Sequence, residues 1–156
     1  RVFATGLSAV RGQRGAAWGV DRVFDPRVPN FVKELLELTD GGVDRVVVGP
    51  ASEAAVQQAF DVAGSGAVVC LFSPFAPDQD IRVSLSRLYF KELRVVASYS
   101  CVAKETREAL ALIEQGVIPV DDLVTHRLGL DEVGPGILKT AGHGDGWLRA
   151  VVYPQR

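Results

Sequence analysis

Val43-Asp44-Arg45-Val46-Val47-Val48-Gly49-Pro50 is followed, one helix-length later, by Ala67-Val68-Val69-Cys70-Leu71-Phe72-Ser73-Pro74. Both runs are short, β-branched and almost uniformly apolar, as expected of strands buried on both faces of a sheet. Between them Ser52 is placed to cap a helix, and Val56, Ala59, Phe60 and Ala63 recur at helical spacing. Gly64-Ser65-Gly66 is read as the turn into the second strand. A strand, a helix and a strand with short links form a right-handed βαβ unit, whose strands are parallel.

The same grammar extends both ways. Val2 to Thr5 reads as a strand, residues 8 to 18 as a helix closed by Gly19, and Arg22 to Phe24 as a strand stopped by Asp25-Pro26. Asn30 suits the N-cap of a helix with Phe31, Leu35 and Leu38 on one face, and Asp40-Gly41-Gly42 ends it. After a mixed segment from Ile81 to Phe90, Leu93 to Ala97 is a further strand. Lys104 to Gln115 is then a helix with Ala109, Leu112 and Ile113 inward and Gly116 as its stop. From about Pro119 the character changes. Leu123 to Leu128, a short helix from Asp131 to Lys139, the loop His143 to Gly146 and a strand from Trp147 to Tyr153 are expected, and not as a further βα repeat. The fold class is α/β with a Rossmann-like parallel sheet.

Composition limits the function. The 156 residues are 47% hydrophobic and 23% charged, which favours a packed core over disorder. A net charge of −2 with both signs interspersed gives no footprint for nucleic acid. No apolar run approaches the roughly 18 residues of a membrane span, and no signal peptide is visible. Cys70 and Cys101 are far apart and read as two buried thiols of a reducing compartment, so a cytoplasmic location is expected. The absence of methionine implies a processed product or a piece of a longer chain.

In open parallel sheets ligands bind at the carboxyl ends of the strands. Four such ends carry small or polar clusters: Gly6-Leu7-Ser8 followed by Arg11, Val48-Gly49-Pro50, Leu71-Phe72-Ser73, and Ser98-Tyr99. Each also reads as ordinary strand-to-loop punctuation. Dinucleotide-binding folds place an acid at the tip of the second strand to bond the ribose hydroxyls. Gly6 stands at such a tip, where a missing carboxylate would remove repulsion against a 2′-phosphate and Ser8 and Arg11 could donate to it. The alternative is a turn glycine beside a solvated arginine. His126 reads as a packed histidine and His143 as a solvated one, and neither has triad spacing. No Walker-type loop and no HExxH motif occur.

"VDRVVVGPAS" (43–52), "GAVVCLFSPF" (66–75), "YFKELRVVASYS" (89–100), "REALALIEQGVIPVDDLVTHRLGLDEV" (107–133) and "WLRAVVYP" (147–154) occur in the order found in zinc-type medium-chain dehydrogenases. The chain most resembles their polyol, sorbitol-like and threonine-like branch. The resemblance implies a partial Rossmann nucleotide-binding domain over residues 1–118, lacking its first strand. It also implies that residues 119–156 return to a GroES-like catalytic domain. The family's zinc ligands, proton relay and GxGxxG loop lie N-terminal to anything in this sequence. The first strand here matches the family's second.

Carried over by motif, Gly6 takes the place of the ribose-binding acid, with Leu7, Ser8 and the basic Arg11 beside it. Val48, Gly49, Pro50, Leu71, Phe72 and Ser73 match backbone contacts around the cofactor, and Ser98 and Tyr99 match the loop beside the nicotinamide. Arg149 matches a basic residue reaching the pyrophosphate. The cofactor implied is NAD or NADP, with zinc in the full-length protein polarising the alcohol oxygen as a Lewis acid. No catalytic residue and no metal ligand is expected in this sequence. The partners implied are a small-molecule alcohol or ketone and further copies of the chain, as a homodimer or homotetramer joined through Rossmann edge strands. The strand Leu93 to Ala97 and the segment Ile81 to Phe90 are the candidates for that contact. Nucleic acid and membrane are not expected. Two other readings stay open: a truncated, non-catalytic binding or assembly module, and a zinc-independent quinone or enone reductase.

Overall fold

A computed structural model describes residues 1–141 and 146–155. Strands and helices alternate: β1 (Phe3–Thr5), α1 (Ala9–Ala17), β2 (Arg22–Phe24), α2 (Phe31–Leu38), β3 (Val43–Val48), α3 (Glu53–Val62), β4 (Ala63–Leu71), α4 (Leu85–Phe90), β5 (Arg94–Ala97) and α5 (Ala103–Glu114). The tail adds α6 (Val120–Leu123), β6 (Val124–Leu128), α7 (Val133–Ala141) and β7 (Arg149–Val152). Every recorded strand pair is parallel, so the molecule is α/β with parallel sheets, as the sequence predicts.

Residues Val28–Ser100 form one compact unit. Its sheet runs in the order β3-β4-β5. Helix α3 lays Val56, Ala59 and Phe60 on β4, where Ala63, Ala67 and Val69 are fully or almost fully enclosed. These positions alternate along β4 and recur at helical spacing along α3, so one face of each element meets the other. Removing a side chain the size of Phe60 from water is worth about 1.5–3 kcal/mol. Ser52 starts α3 by accepting the Ala55 N–H at 3.2 Å.

Arg1–Arg27 and Cys101–Arg156 form the second unit. Here β1 pairs with β2, and β6 pairs with β7. The two ends of the chain are tied together by hydrogen bonds from α1. Arg11 Nη2 donates to the Trp147 carbonyl at 3.1 Å, Arg14 Nη1 to the Asp122 carbonyl, and Trp18 Nε1 to Asp122 Oδ2 at 3.5 Å.

Several expectations need correction. β3 is covered on one side only: Val48 is buried but Val47 is 68% exposed. Successive side chains point to opposite faces, and α3 packs against one of them. Gly64-Ser65-Gly66 is part of β4 rather than a separate turn. The cause is backbone contact: a Cβ on Gly42 would lie 2.4 Å from the Gly64 nitrogen, and the β3–β4 register shifts between Val43 and Arg45. The apolar side of α5 is not inward, since Ala109, Leu112 and Ile113 are all exposed. Helical period tells which residues share a side, not whether anything covers them. Cys101 is exposed rather than buried, with its Sγ 3.6 Å from Thr106 Oγ1. The tail does repeat the βα grammar, because β6 and β7 are parallel and α7 lies between them in the chain. His143 and most of its loop lie outside the described residues.

Candidate functional site

In the unit Val28–Ser100 the three strand ends are joined edge to edge. Val48 O accepts the Phe72 N–H at 3.1 Å, and Leu71 O accepts the Ser98 N–H at 3.0 Å. Ser73 Oγ reaches across to donate to the Gly49 carbonyl. Val48, Gly49 and Pro50, Leu71, Phe72 and Ser73, and Ser98 and Tyr99 therefore stand side by side along one carboxyl edge. The ladder continues one residue past each strand and then stops. Beyond it the chain turns away, Ser100 taking φ of 59°. What the edge offers is peptide groups beyond the ladder, two serine hydroxyls, and the exposed rings of Phe72 and Tyr99. Such an edge can hydrogen-bond a planar amide or a sugar while an aromatic face lies against it.

In the other unit a cleft of about 320 Å³ opens at the tips of β1 and β2, lined by Gly6, Leu7, Ser8, Phe24, Asp25 and Arg27 among others. Gly6 N donates to the Phe24 carbonyl at 3.0 Å, so Gly6 and Asp25 are adjoining tip residues. A Cβ on Gly6 would touch nothing within 4 Å. Gly12 lets α1 settle on β2, since a Cβ there would approach Val23 Cγ1 to 3.2 Å. Ser8 Oγ caps α1 by accepting the Arg11 N–H at 3.4 Å.

The charged residues of this cleft lining are Asp25 and Arg27. Arg27 grips Asp25 with two donors, Nε to Oδ1 at 2.9 Å and Nη2 to Oδ2 at 2.6 Å. Nη2 also reaches the Leu7 carbonyl at 3.4 Å. These side-chain bonds, then the Arg27 backbone N–H, lower the Asp25 pKa from 3.8 to about 2. Arg11 does not line the cleft; its guanidinium is engaged by the Trp147 carbonyl. Arg149 begins β7, exposed, with its carbonyl accepting from Thr125 Oγ1 at 3.2 Å. His126 is half-buried and stacked on Trp147, ring centroids 3.6 Å apart, its Nδ1 2.9 Å from Thr125 Oγ1. It is packed, as the sequence predicts.

A model of the zinc-binding dehydrogenase family matches residues 1–115. The chain belongs to that family. It is 26% identical over 138 residues to an alcohol dehydrogenase of Cupriavidus necator, covering 87% of this chain and 38% of that protein. It is 25% identical over 141 residues to L-threonine 3-dehydrogenase of Sinorhizobium medicae, covering 87% of this chain and 39% of that one. This member of the zinc-binding dehydrogenases thus spans under half the length of the curated relatives it matches. Its backbone follows a structure described as a zinc-binding dehydrogenase of Sinorhizobium meliloti bound to NADP. The TM-score is 0.89 at 24% identity, over 98% of this chain and 45% of that one.

Asp25 and Arg27 escaped the sequence reading, which took Asp25-Pro26 only as a strand stop. A signal was available. An acid directly after a strand is the pattern sought at Gly6, and it occurs one strand later. Among the described residues no three His, Cys, Asp or Glu side chains cluster to hold a metal.

Proposed function

We propose that this chain is the cofactor-binding part of an NAD(P)-dependent oxidoreductase. The reaction moves a hydride between a secondary alcohol carbon and the nicotinamide ring. The substrate is a polyol, a cyclitol or an amino alcohol. The observation that carries the reading is the row of strand ends from Val48 to Tyr99, within a chain matched over residues 1–115 by the zinc-binding dehydrogenase family. In parallel sheets this edge is where nucleotides sit. The peptide groups of Gly49 and Leu71, with the Ser73 and Ser98 hydroxyls, would hold and orient the nicotinamide side. Phe72 and Tyr99 would keep water from it. Within the unit of Arg1–Arg27 and Cys101–Arg156, taken by itself, the family motif would give the Gly6–Ser8 tip a ribose contact and Arg149 a phosphate contact. The nicotinamide, when bound, supplies the hydride acceptor or donor.

The described residues offer no donor set that fits zinc. In this reading the metal is held by a domain outside the sequence, and nothing done by this chain's own residues runs through it. Residues 1–118 would be the Rossmann part and 119–156 a return into a GroES-like domain. Copies would pair through the β5 edge, where Val95, Val96, Tyr89 and Phe90 are exposed.

The test is titration of the intact gene product with NADH and NADPH, following energy transfer from tryptophan to the reduced nicotinamide. Saturable transfer with one of them is expected, and alcohol-dependent reduction of the oxidised form should follow. The chain of residues 1–156 alone, with zinc added, should show no turnover. Absence of saturable binding to the intact product would overturn the reading.

A further inference from the structure

Three consecutive residues leading into β7 are held by their backbone, while the charged side chain among them is left uncommitted. The Trp147 carbonyl accepts from Arg11 Nη2 at 3.1 Å. The Leu148 N–H donates to Thr125 Oγ1 at 3.1 Å, and the Arg149 carbonyl accepts from the same hydroxyl at 3.2 Å. Arg149 is exposed, and its guanidinium has no partner among the described residues. We infer that Thr125 is a positioning residue, whose hydroxyl fixes the backbone of Leu148 and Arg149 so that the Arg149 guanidinium is presented to a phosphate of the nucleotide. The inference rests on the reading above that gives Arg149 a phosphate contact.

Three observations argue for it. First, Thr125 sits at a break in the ladder. Val124 is in register with Arg149 and His126 with Ala150, so Thr125 is the extra residue of β6. A bulged residue lacks a partner in the ladder, and bulges re-aim the side chains beside them. Here the Thr125 hydroxyl stands in for a peptide group, donating to a carbonyl and accepting from an N–H. Second, that hydroxyl is saturated. It has one proton and two lone pairs. The Arg149 carbonyl can only accept, so the proton goes there. The Leu148 N–H takes one lone pair, and His126 Nδ1, 2.9 Å away, must donate to the other. This count assigns His126 the Nδ1–H tautomer. Third, the His126 ring is itself held, stacked on Trp147 with centroids 3.6 Å and planes 11° apart. The stack and Arg11 thus fix the residue two before Arg149 from separate directions. A backbone held at every step around one uncommitted cation is pre-organised, so less freedom is lost when an anion binds.

The experiment is calorimetric binding of NADH and NADPH to the intact gene product and four variants, with the tighter of the two as the probe. Arg149→Ala should weaken it by about 10- to 100-fold, as expected for losing hydrogen bonds to a charged group. Thr125→Val, which keeps the shape and removes the hydroxyl, should weaken it by about 3- to 10-fold, and Thr125→Ser by no more than about two-fold. In the Arg149→Ala background Thr125→Val should have no further effect, a coupling that a merely structural hydroxyl would not show. Equal weakening by Thr125→Val with and without Arg149, or an undiminished loss in Thr125→Ser, would overturn the inference and leave the nucleotide reading standing. So would unchanged binding in Arg149→Ala. Should Thr125→Val not fold, nitrogen NMR of neutral His126 in the unmodified protein decides. A proton on Nδ1 is expected, and a proton on Nε2 instead would overturn the clamp. Failure of the unmodified protein to bind either dinucleotide would overturn both readings.

Discussion

Strand β4 with helix α3, and helix α5, carry apolar patterns of similar strength and meet opposite fates. Val69 and Ala63 of β4 are wholly enclosed and Phe60 of α3 is 3% exposed, whereas Leu110 and Ile113 of α5 are 53% and 43% exposed. The difference lies in partners rather than in sequence. Each apolar side of β4 and α3 finds the other within a few residues of chain, through a local βαβ connection. The apolar side of α5 has no such neighbour among the described residues. An amphipathic pattern states that a face is meant for cover, and the cover is a separate fact of tertiary structure.

That contrast can be broken or sharpened by measurement. The largest effect is expected at Phe60. Phe60→Ala should cost about 3–5 kcal/mol, enough to unfold a marginal chain. Leu110→Ala on α5 should move stability by no more than about 0.5 kcal/mol. Urea midpoints of the two variants read the difference directly, and comparable losses would mean that α5 is packed. Gly42→Ala should follow at about 1–3 kcal/mol, because φ is +140° there and the new Cβ would meet the Gly64 backbone. Gly41→Ala, also at positive φ but in open space, should cost less. Equal midpoints for these two would remove close strand approach as the reason for the β3–β4 register shift.

The smallest effect is electrostatic and belongs to the exposed Asp25–Arg27 pair. The folded-state pKa of Asp25 is depressed, so the pair's contribution is complete above the unfolded value near 3.8. It is lost as pH falls through about 2. Carbon NMR of the Asp25 carboxyl should show a midpoint near pH 2, moving up to the ordinary carboxylate range in Arg27→Ala. A midpoint near 3.8 in the unmodified chain would show that the two-donor grip is not held in solution.

The strand-tip clusters were legible because they obey a local rule: an apolar run stops, and small or polar residues follow. Gly49, Ser73 and Ser98 were found this way, and backbone bonds between neighbouring tips put them in one row. Asp25 was hidden by its second meaning, since Asp-Pro after a strand also marks a chain turn. Arg11 was attractive as a cation close after the Gly6-Leu7-Ser8 tip and by its place in the family motif. The helix carries its side chain to the Trp147 carbonyl, a contact 136 residues distant in sequence that no local pattern records.

By itself the sequence determined the alternation of elements, the parallel class of the sheets and the strand ends at which a ligand is to be sought. These follow from side-chain period and chain stops, which act over a few residues. Tertiary structure alone decided that β3 is covered on one face, that α1 is bonded to the tail, and that the acid beside Gly6 comes from the next strand. Each of these depends on which groups are brought within about 3 Å by pairing and packing, and hydrogen bonds and burial are settled at that range rather than along the chain.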